Sequence, residues 1–182
     1  MCLSMKFGRA GWQGRNKRYK RTGMKDWNSK ILRYVLLSVT LIIASACSNN
    51  EPVPINIGRD NCTRCKMGIV NMRFASELVT STGKDYKFDS IECMTSFYQS
   101  YKGSDVKNAK LWVHDFLHSK EWLPADSALF LRSDSLHSPM GLDLIAVKNS
   151  TEMQNIKSKV GGREMDWTDV LTYVKKNMDR EK

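Results

Sequence analysis

From residue 74 onward the apolar positions come in short runs broken by turn-forming residues, the signature of brief strands and helices. Phe74-Ala75-Ser76-Glu77-Leu78-Val79-Thr80 alternates in part and predicts a strand. Thr82-Gly83-Lys84-Asp85 is a turn, and Tyr86-Lys87-Phe88 returns as the second arm of a hairpin. Ser90 stands where a helix N-cap belongs, with Cys93 three residues on, and the helix runs to about Tyr101. Cys93, Phe97 and Tyr101 at i, i+4 and i+8 share its inward face. Cys93 thus sits in the first turn, where the helix dipole is expected to lower its pKa. Leu111-Trp112-Val113-His114-Asp115-Phe116 predicts a third strand.

The second half repeats that order without repeating the sequence. Ala128-Leu129-Phe130-Leu131 and Leu142 to Val147 predict strands, with a Ser138-Pro139-Met140-Gly141 turn between them. Ser150 or Thr151 is expected to cap a helix through about Val160, which Gly161-Gly162 ends. Arg163 to Asp166 predicts a short strand and Trp167 to Asn177 a closing helix. The expectation is an α+β fold of two packed ββαβ halves, about 58–122 and 123–177. A polar, Pro-bearing stretch precedes them and reads as a tether over 47–57.

Charge changes the picture by where it lies. The net charge of +10 invites a nucleic-acid reading. Residues 1–46, however, carry ten basic and one acidic residue, and the remainder nineteen basic against eighteen acidic. The excess belongs to the leader, which leaves little support for a nucleic-acid face. Met24 to Arg33 forms a positive segment, Tyr34 to Ile43 an apolar one, and Ala44-Ser45-Ala46 supplies small residues before Cys47. This resembles the lipobox of bacterial lipoproteins, in which the cysteine is lipidated (here Cys47, the palmitate-bearing position) and becomes the mature N-terminus. Ala44 stands where leucine is usual. The competing reading, a membrane span, has too short an apolar stretch for the roughly twenty residues needed. Residues 1–23 precede a complete signal peptide and read as an upstream start, with translation expected from Met24.

Export alters the cysteine arithmetic. With Cys2 discounted and Cys47 lipidated, Cys62, Cys65 and Cys93 remain, an odd number for an oxidising compartment. Cys62-Thr63-Arg64-Cys65-Lys66-Met67 places two thiols and a thioether within six residues, and Cys93 neighbours Met94. Thiolates and thioethers are soft ligands that suit Cu(I); thiolates also suit zinc and iron–sulfur clusters.

Several pieces together resemble the NosL family, the copper-binding accessory lipoproteins of nitrous oxide reductase. They are the lipobox-like Cys47, Cys62-x-x-Cys65-x-Met67, Phe88-Asp89-Ser90-Ile91-Glu92-Cys93, Val113-His114-Asp115, Pro139-Met140-Gly141, and Gly161-Gly162 followed by Trp167. The resemblance covers roughly Cys47 to Val174. One departure is Lys66, where the family usually has glycine. The resemblance implies a two-half ββαβ fold like that of organomercurial lyase, Cu(I) as cargo, and delivery of copper to nitrous oxide reductase outside the cytoplasm. It also implies a membrane-anchored lipoprotein facing the periplasm from the outer membrane, in a denitrification setting.

The candidate metal ligands are Cys62, Cys65, Met67, Cys93, Met140 and His137. Four of them have a plainer reading: a disulfide or redox pair for Cys62 and Cys65, core filler for Met67 and an inert buried thiol for Cys93. Met140, in a turn, is the preferred thioether; Met94 reads as core. His114 is expected to bond to a neighbour on its strand, and His118 to be solvated. Binding followed by ligand exchange needs no general base or nucleophile, so no enzyme is expected. The rivals are a thiol–disulfide oxidoreductase, a carbon–mercury lyase by fold analogy, and a structural zinc module.

Overall fold

A computed structural model describes residues 50–178; the expected signal peptide and Cys47, the expected lipidation site, lie outside the described residues. Among the described residues seven strands and three helices follow in order. The first half contains β1 (Ser76–Val79), β2 (Asp85–Phe88), α1 (Ile91–Ser100), a short 3₁₀ turn (Ser104–Val106), β3 (Lys110–His114) and β4 (Trp122–Pro124). The second contains β5 (Leu129–Arg132), β6 (Leu144–Val147), α2 (Ser150–Val160), β7 (Arg163–Met165) and α3 (Trp167–Met178). All strand pairs are antiparallel, in a four-stranded sheet ordered β2-β1-β3-β4 and a three-stranded sheet ordered β6-β5-β7.

The two halves share more than element order. In each, the first strand lies between the second and the third, so β2-β1-β3 and β6-β5-β7 have the same pairing scheme. β4, an added edge strand on the first sheet, has no counterpart in the sequence-based expectation. Its Trp122-Leu123-Pro124 is too short to alternate, and the proline suits an edge position. A single parallel bridge, Asp115 to Ala146, joins the end of the first sheet to β6, where Phe116 N–H donates to the Ala146 carbonyl at 2.9 Å.

Side-chain alternation explains the uninterrupted apolar run of β6. Leu144 and Ala146 face a core shared with Leu78, Phe88 and Val113 of the first sheet, with Cys93 and Met94 of α1 and with Val170 and Val174 of α3. Ile145 and Val147 face the other way, against Met153 and Ile156 of α2. A strand covered on both faces has no polar side, so it reads as continuous rather than alternating.

β1 is likewise covered on both faces, its four residues all buried although Ser76 and Glu77 are polar. Its outer face is covered by the stretch expected to act as a tether. Trp112 Nε1 donates to the Asn50 carbonyl at 2.9 Å, and Val53 N–H to Glu77 Oε2 at 2.8 Å. Ile55 packs with Ile69 and Ala75. Residues 50–57 therefore lie on the domain.

Two local expectations need correction. The cap of α2 is Asn149, whose side chain accepts from Glu152 N–H, rather than Ser150 or Thr151. An asparagine reaches the same backbone donor as a serine would. The His114 ring does not bond to a neighbour on its strand: the backbone N–H donates to the Ala75 carbonyl at 3.3 Å, but the side chain is buried with neither ring nitrogen in a well-formed hydrogen bond, and its ring lies 3.7 Å from that of Trp122. The end of α2 is as expected. Gly162 takes φ of 110°, and a Cβ there would come within 2.3 Å of the Arg132 carbonyl, where β7 approaches β5.

Candidate metal centre

The loop carrying the first two cysteines closes on itself. Asn61 and Gly68 form an antiparallel bridge, Cys62 N–H donates to the Met67 carbonyl at 2.8 Å, and Lys66 N–H to the Cys62 carbonyl at 3.0 Å. Thr63 N–H donates to the Lys87 carbonyl at 2.7 Å, pinning the loop to β2. Turning the chain this tightly puts Lys66 at φ of 67°, the left-handed region that a side chain disfavours. Glycine, the residue usual there in the resembling family, takes that conformation without steric penalty. Lys66 Nζ reaches the Thr63 carbonyl at 2.7 Å, an exposed contact that offsets little. Lys66→Gly is expected to stabilise the domain by about 1 kcal/mol in urea denaturation; a loss of stability would show that the Nζ contact outweighs the backbone strain.

The third thiol arrives from the opposite side. Ser90 caps α1, its Oγ accepting from Cys93 N–H at 3.2 Å, which places Cys93 in the first helical turn. Asp89 stands in the junction between β2 and the helix, 3 % exposed. The loop and the helix start bring Cys62, Cys65, Asp89 and Cys93 together, with one ligand atom from each within 4.8 Å of all the others. Cys62 and Cys93 are fully buried, Cys65 is half-buried, and all three are free thiols.

Their protons are unequally held. Cys62 accepts a hydrogen bond from the Cys93 thiol and, against the opposing effect of burial, further ones from the backbone at Cys65, Asp89 and Arg64, which brings its pKa down to about 6. Cys93, which donates that proton, is pushed up instead, helped by burial and by the negative charge of Cys62 and Asp89. The expectation that the helix dipole would lower the Cys93 pKa is not met: a shared proton and a buried setting outweigh a partial charge at the helix end. Burial raises Cys65 to about 11, with Cys62 and Asp89 adding to the rise, and its thiol donates to Asp89 Oδ2 at 3.3 Å. Asp89 Oδ1 is buried with no hydrogen-bond partner. The site is a ready anion beside two thiols, with one carboxylate oxygen unspent.

Asp89 is the residue that sequence reasoning passed over. It lay inside a motif quoted for its cysteine, and its only signal was an acidic side chain at a strand–helix junction four residues before Cys93. Met94 is buried core, as read. Met67 supplies a carbonyl to the loop while its side chain is 48 % exposed. Met140 is half-buried against the core cluster that contains Cys62 and Cys93. Its turn is tied to the site helix by Glu92, whose Oε1 accepts from Ser138 Oγ at 2.5 Å and from Leu144 N–H at 3.3 Å. His137, on the same loop, is exposed and lies outside the cysteine–aspartate group.

Two antiparallel sheets sharing one core, with soft thiols converging where a tight loop meets a helix start, define an α+β domain with a cluster able to hold a metal ion. The family model for NosL matches residues 52–174, and the chain belongs to the NosL family. Among solved structures it is similar to the crystal structure of the copper chaperone NosL from Shewanella denitrificans, with a TM-score of 0.55 at 20 % identity. That match covers 66 % of this chain and 95 % of the other. No curated protein sequence matches the chain. No helix among the described residues is long and apolar enough to cross a membrane.

Proposed function

We propose that this chain is a Cu(I) chaperone, held to the membrane by lipid on Cys47 and facing the periplasm, that delivers copper to an extracytoplasmic cuproenzyme, nitrous oxide reductase. The observation that carries the proposal is the convergence of the Cys62, Cys65 and Cys93 sulfurs with Asp89 in one cluster. Family membership and the fold shared with a copper chaperone support it.

In this reading the Cys62 thiolate is the resident anion that captures the metal, and Cys65 and Cys93 join as their protons leave. Asp89 accepts from the Cys65 thiol and so provides a route for one proton. Met140 adds a thioether, which softens the site without adding charge. Met67, exposed on the cysteine loop, serves where the metal enters and leaves, and His137, exposed on the Met140 loop, is a further ligand to test by substitution. Cys65, the one cysteine of the three with solvent access, is where an acceptor's ligand attacks, so that copper passes by exchange and is never free.

The test is a competition between Cu(I) and Zn(II) for the reduced mature domain. Cys65→Ser and Met140→Leu are each expected to weaken Cu(I) binding at least ten-fold while the circular dichroism spectrum stays unchanged. A second reading has one observation in its favour: a carboxylate beside three thiols can complete a tetrahedral zinc site. In that case Zn(II) wins the competition and its chelation unfolds the domain. An oxidoreductase would reduce a disulfide substrate with no metal present.

A further inference from the structure

A second group of ligating side chains stands apart from the cysteines, at the seam between the two sheets. Asp115 follows β3 at the bridge to Ala146, His118 lies in the loop beyond it, and Glu152 sits in the first turn of α2. One ligand atom from each lies within 4.8 Å of the other two. His118 Nδ1 is 3.5 Å from Asp115 Oδ2 and 3.8 Å from Glu152 Oε1.

An exposed acidic pair beside a histidine is common and means little alone. Asp115 makes this group different. Its side chain is 0 % exposed, and Oδ2, the atom facing His118, has no hydrogen-bond partner. Leaving a carboxylate oxygen buried and unpaired is costly. The other oxygen, Oδ1, accepts from Leu117 N–H at 2.8 Å and His118 N–H at 3.3 Å, so the group is held with Oδ2 aimed outward at the imidazole. Glu152 is held as well: its backbone N–H donates to the Asn149 cap, and its Oε2 accepts from Lys148 N–H at 3.4 Å. The Lys148 ammonium engages Glu121 at 2.7 Å and acts on Glu152 and Asp115 only at longer range; among the described residues no lysine or arginine forms a direct ion pair with either.

We infer that Asp115, His118 and Glu152 form a second metal site, for a divalent cation of borderline softness such as Zn(II). Imidazole nitrogen with two carboxylate oxygens is the donor set for such an ion and offers nothing soft to Cu(I). Ligands about 2.1 Å from a tetrahedral centre lie about 3.4 Å apart; the two His118 separations of 3.5 and 3.8 Å need close only slightly, and the Asp115 and Glu152 oxygens lie within 4.8 Å of each other. Three protein ligands leave a coordination position open, and the 55 % exposure of His118 places it toward solvent. The backbone donors on Asp115 and Glu152 do the orienting that outer-shell partners do in metal sites. A bound ion would tie the end of the first sheet to the helix of the second half.

The test uses the reduced full chain and Zn(II), followed by calorimetry and by the imidazole nitrogen resonances of the three histidines. His118→Ala, at an exposed position, is expected to fold and to take up one Zn(II) fewer than the wild type, and Glu152→Gln to weaken that uptake at least ten-fold. In the wild type the His118 Nδ1 resonance is expected to shift on addition of Zn(II). Equal stoichiometry in wild type and His118→Ala, or His118 resonances unmoved by Zn(II), would overturn the site and leave an ordinary Asp115–His118 ion pair.

Discussion

Cys62→Ser is expected to remove more than about 100-fold of the Cu(I) affinity, a larger loss than any other single change in the cluster. Losing an outer-shell partner alone costs roughly 10–100-fold, and Cys62 would be a ligand. It is also the thiol whose environment favours the anion, through the Cys93 hydrogen bond and the backbone donors around it. A serine hydroxyl is neutral at working pH and hard where sulfur is soft, so it replaces neither the charge nor the chemistry. It can still accept those same hydrogen bonds, so the fold is expected to survive. Cu(I) competition against a chromophoric chelator, with circular dichroism as the control for folding, measures both. Binding within ten-fold of wild type would mean that copper is not held through this cysteine.

The second large effect concerns pH, and it is hidden in the wild type because two buried groups pull in opposite directions. Burial holds His114 at about 4, against 6.5 for an ordinary imidazole, outweighing the nearby Glu121 backbone. Between those values the unfolded chain binds the proton and the folded one does not, so this contribution to stability falls as pH drops from 6.5 to 4. Glu77 behaves the other way. Burial raises it to about 7 from 4.5, against the Val53 N–H it accepts, so the folded state keeps a proton that the unfolded state releases. Its contribution falls as pH rises from 4.5 to 7.

Each effect amounts to about 3 kcal/mol at 1.36 kcal/mol per pH unit. His114→Phe keeps the ring on Trp122 and removes the titration, so relative to wild type it is expected to gain stability as pH falls from 6.5 to 4. Glu77→Gln keeps an acceptor for Val53 and is expected to gain relative to wild type as pH rises from 4.5 to 7. Glu92, also raised by burial, is present in both comparisons and cancels in the differences. Denaturant titrations across this range give the difference curves; flat curves would show that neither group titrates between the folded and unfolded states as its burial implies.

What the order of residues determined by itself was the sequence of elements and the kind of chemistry. Ser90 caps its helix and Gly161-Gly162 ends another because capping and left-handed turns are local requirements met by local residues. Three thiols in an otherwise thiol-poor domain announce soft-metal or redox chemistry wherever the chain takes them. Only the tertiary structure decided the rest. β4 exists because β3 offers an edge, and residues 50–57 lie down because β1 needs a cover; neither demand is visible in the segment that answers it. Asp89 became part of the cysteine group, and Asp115, His118 and Glu152 a group of their own, through the meeting of separate elements. The thiol placed to be the anion is Cys62 because a pKa follows from which neighbour donates its proton and how dry the surroundings are. Such quantities belong to the assembled surroundings of an atom, and residues far apart in the chain supply them.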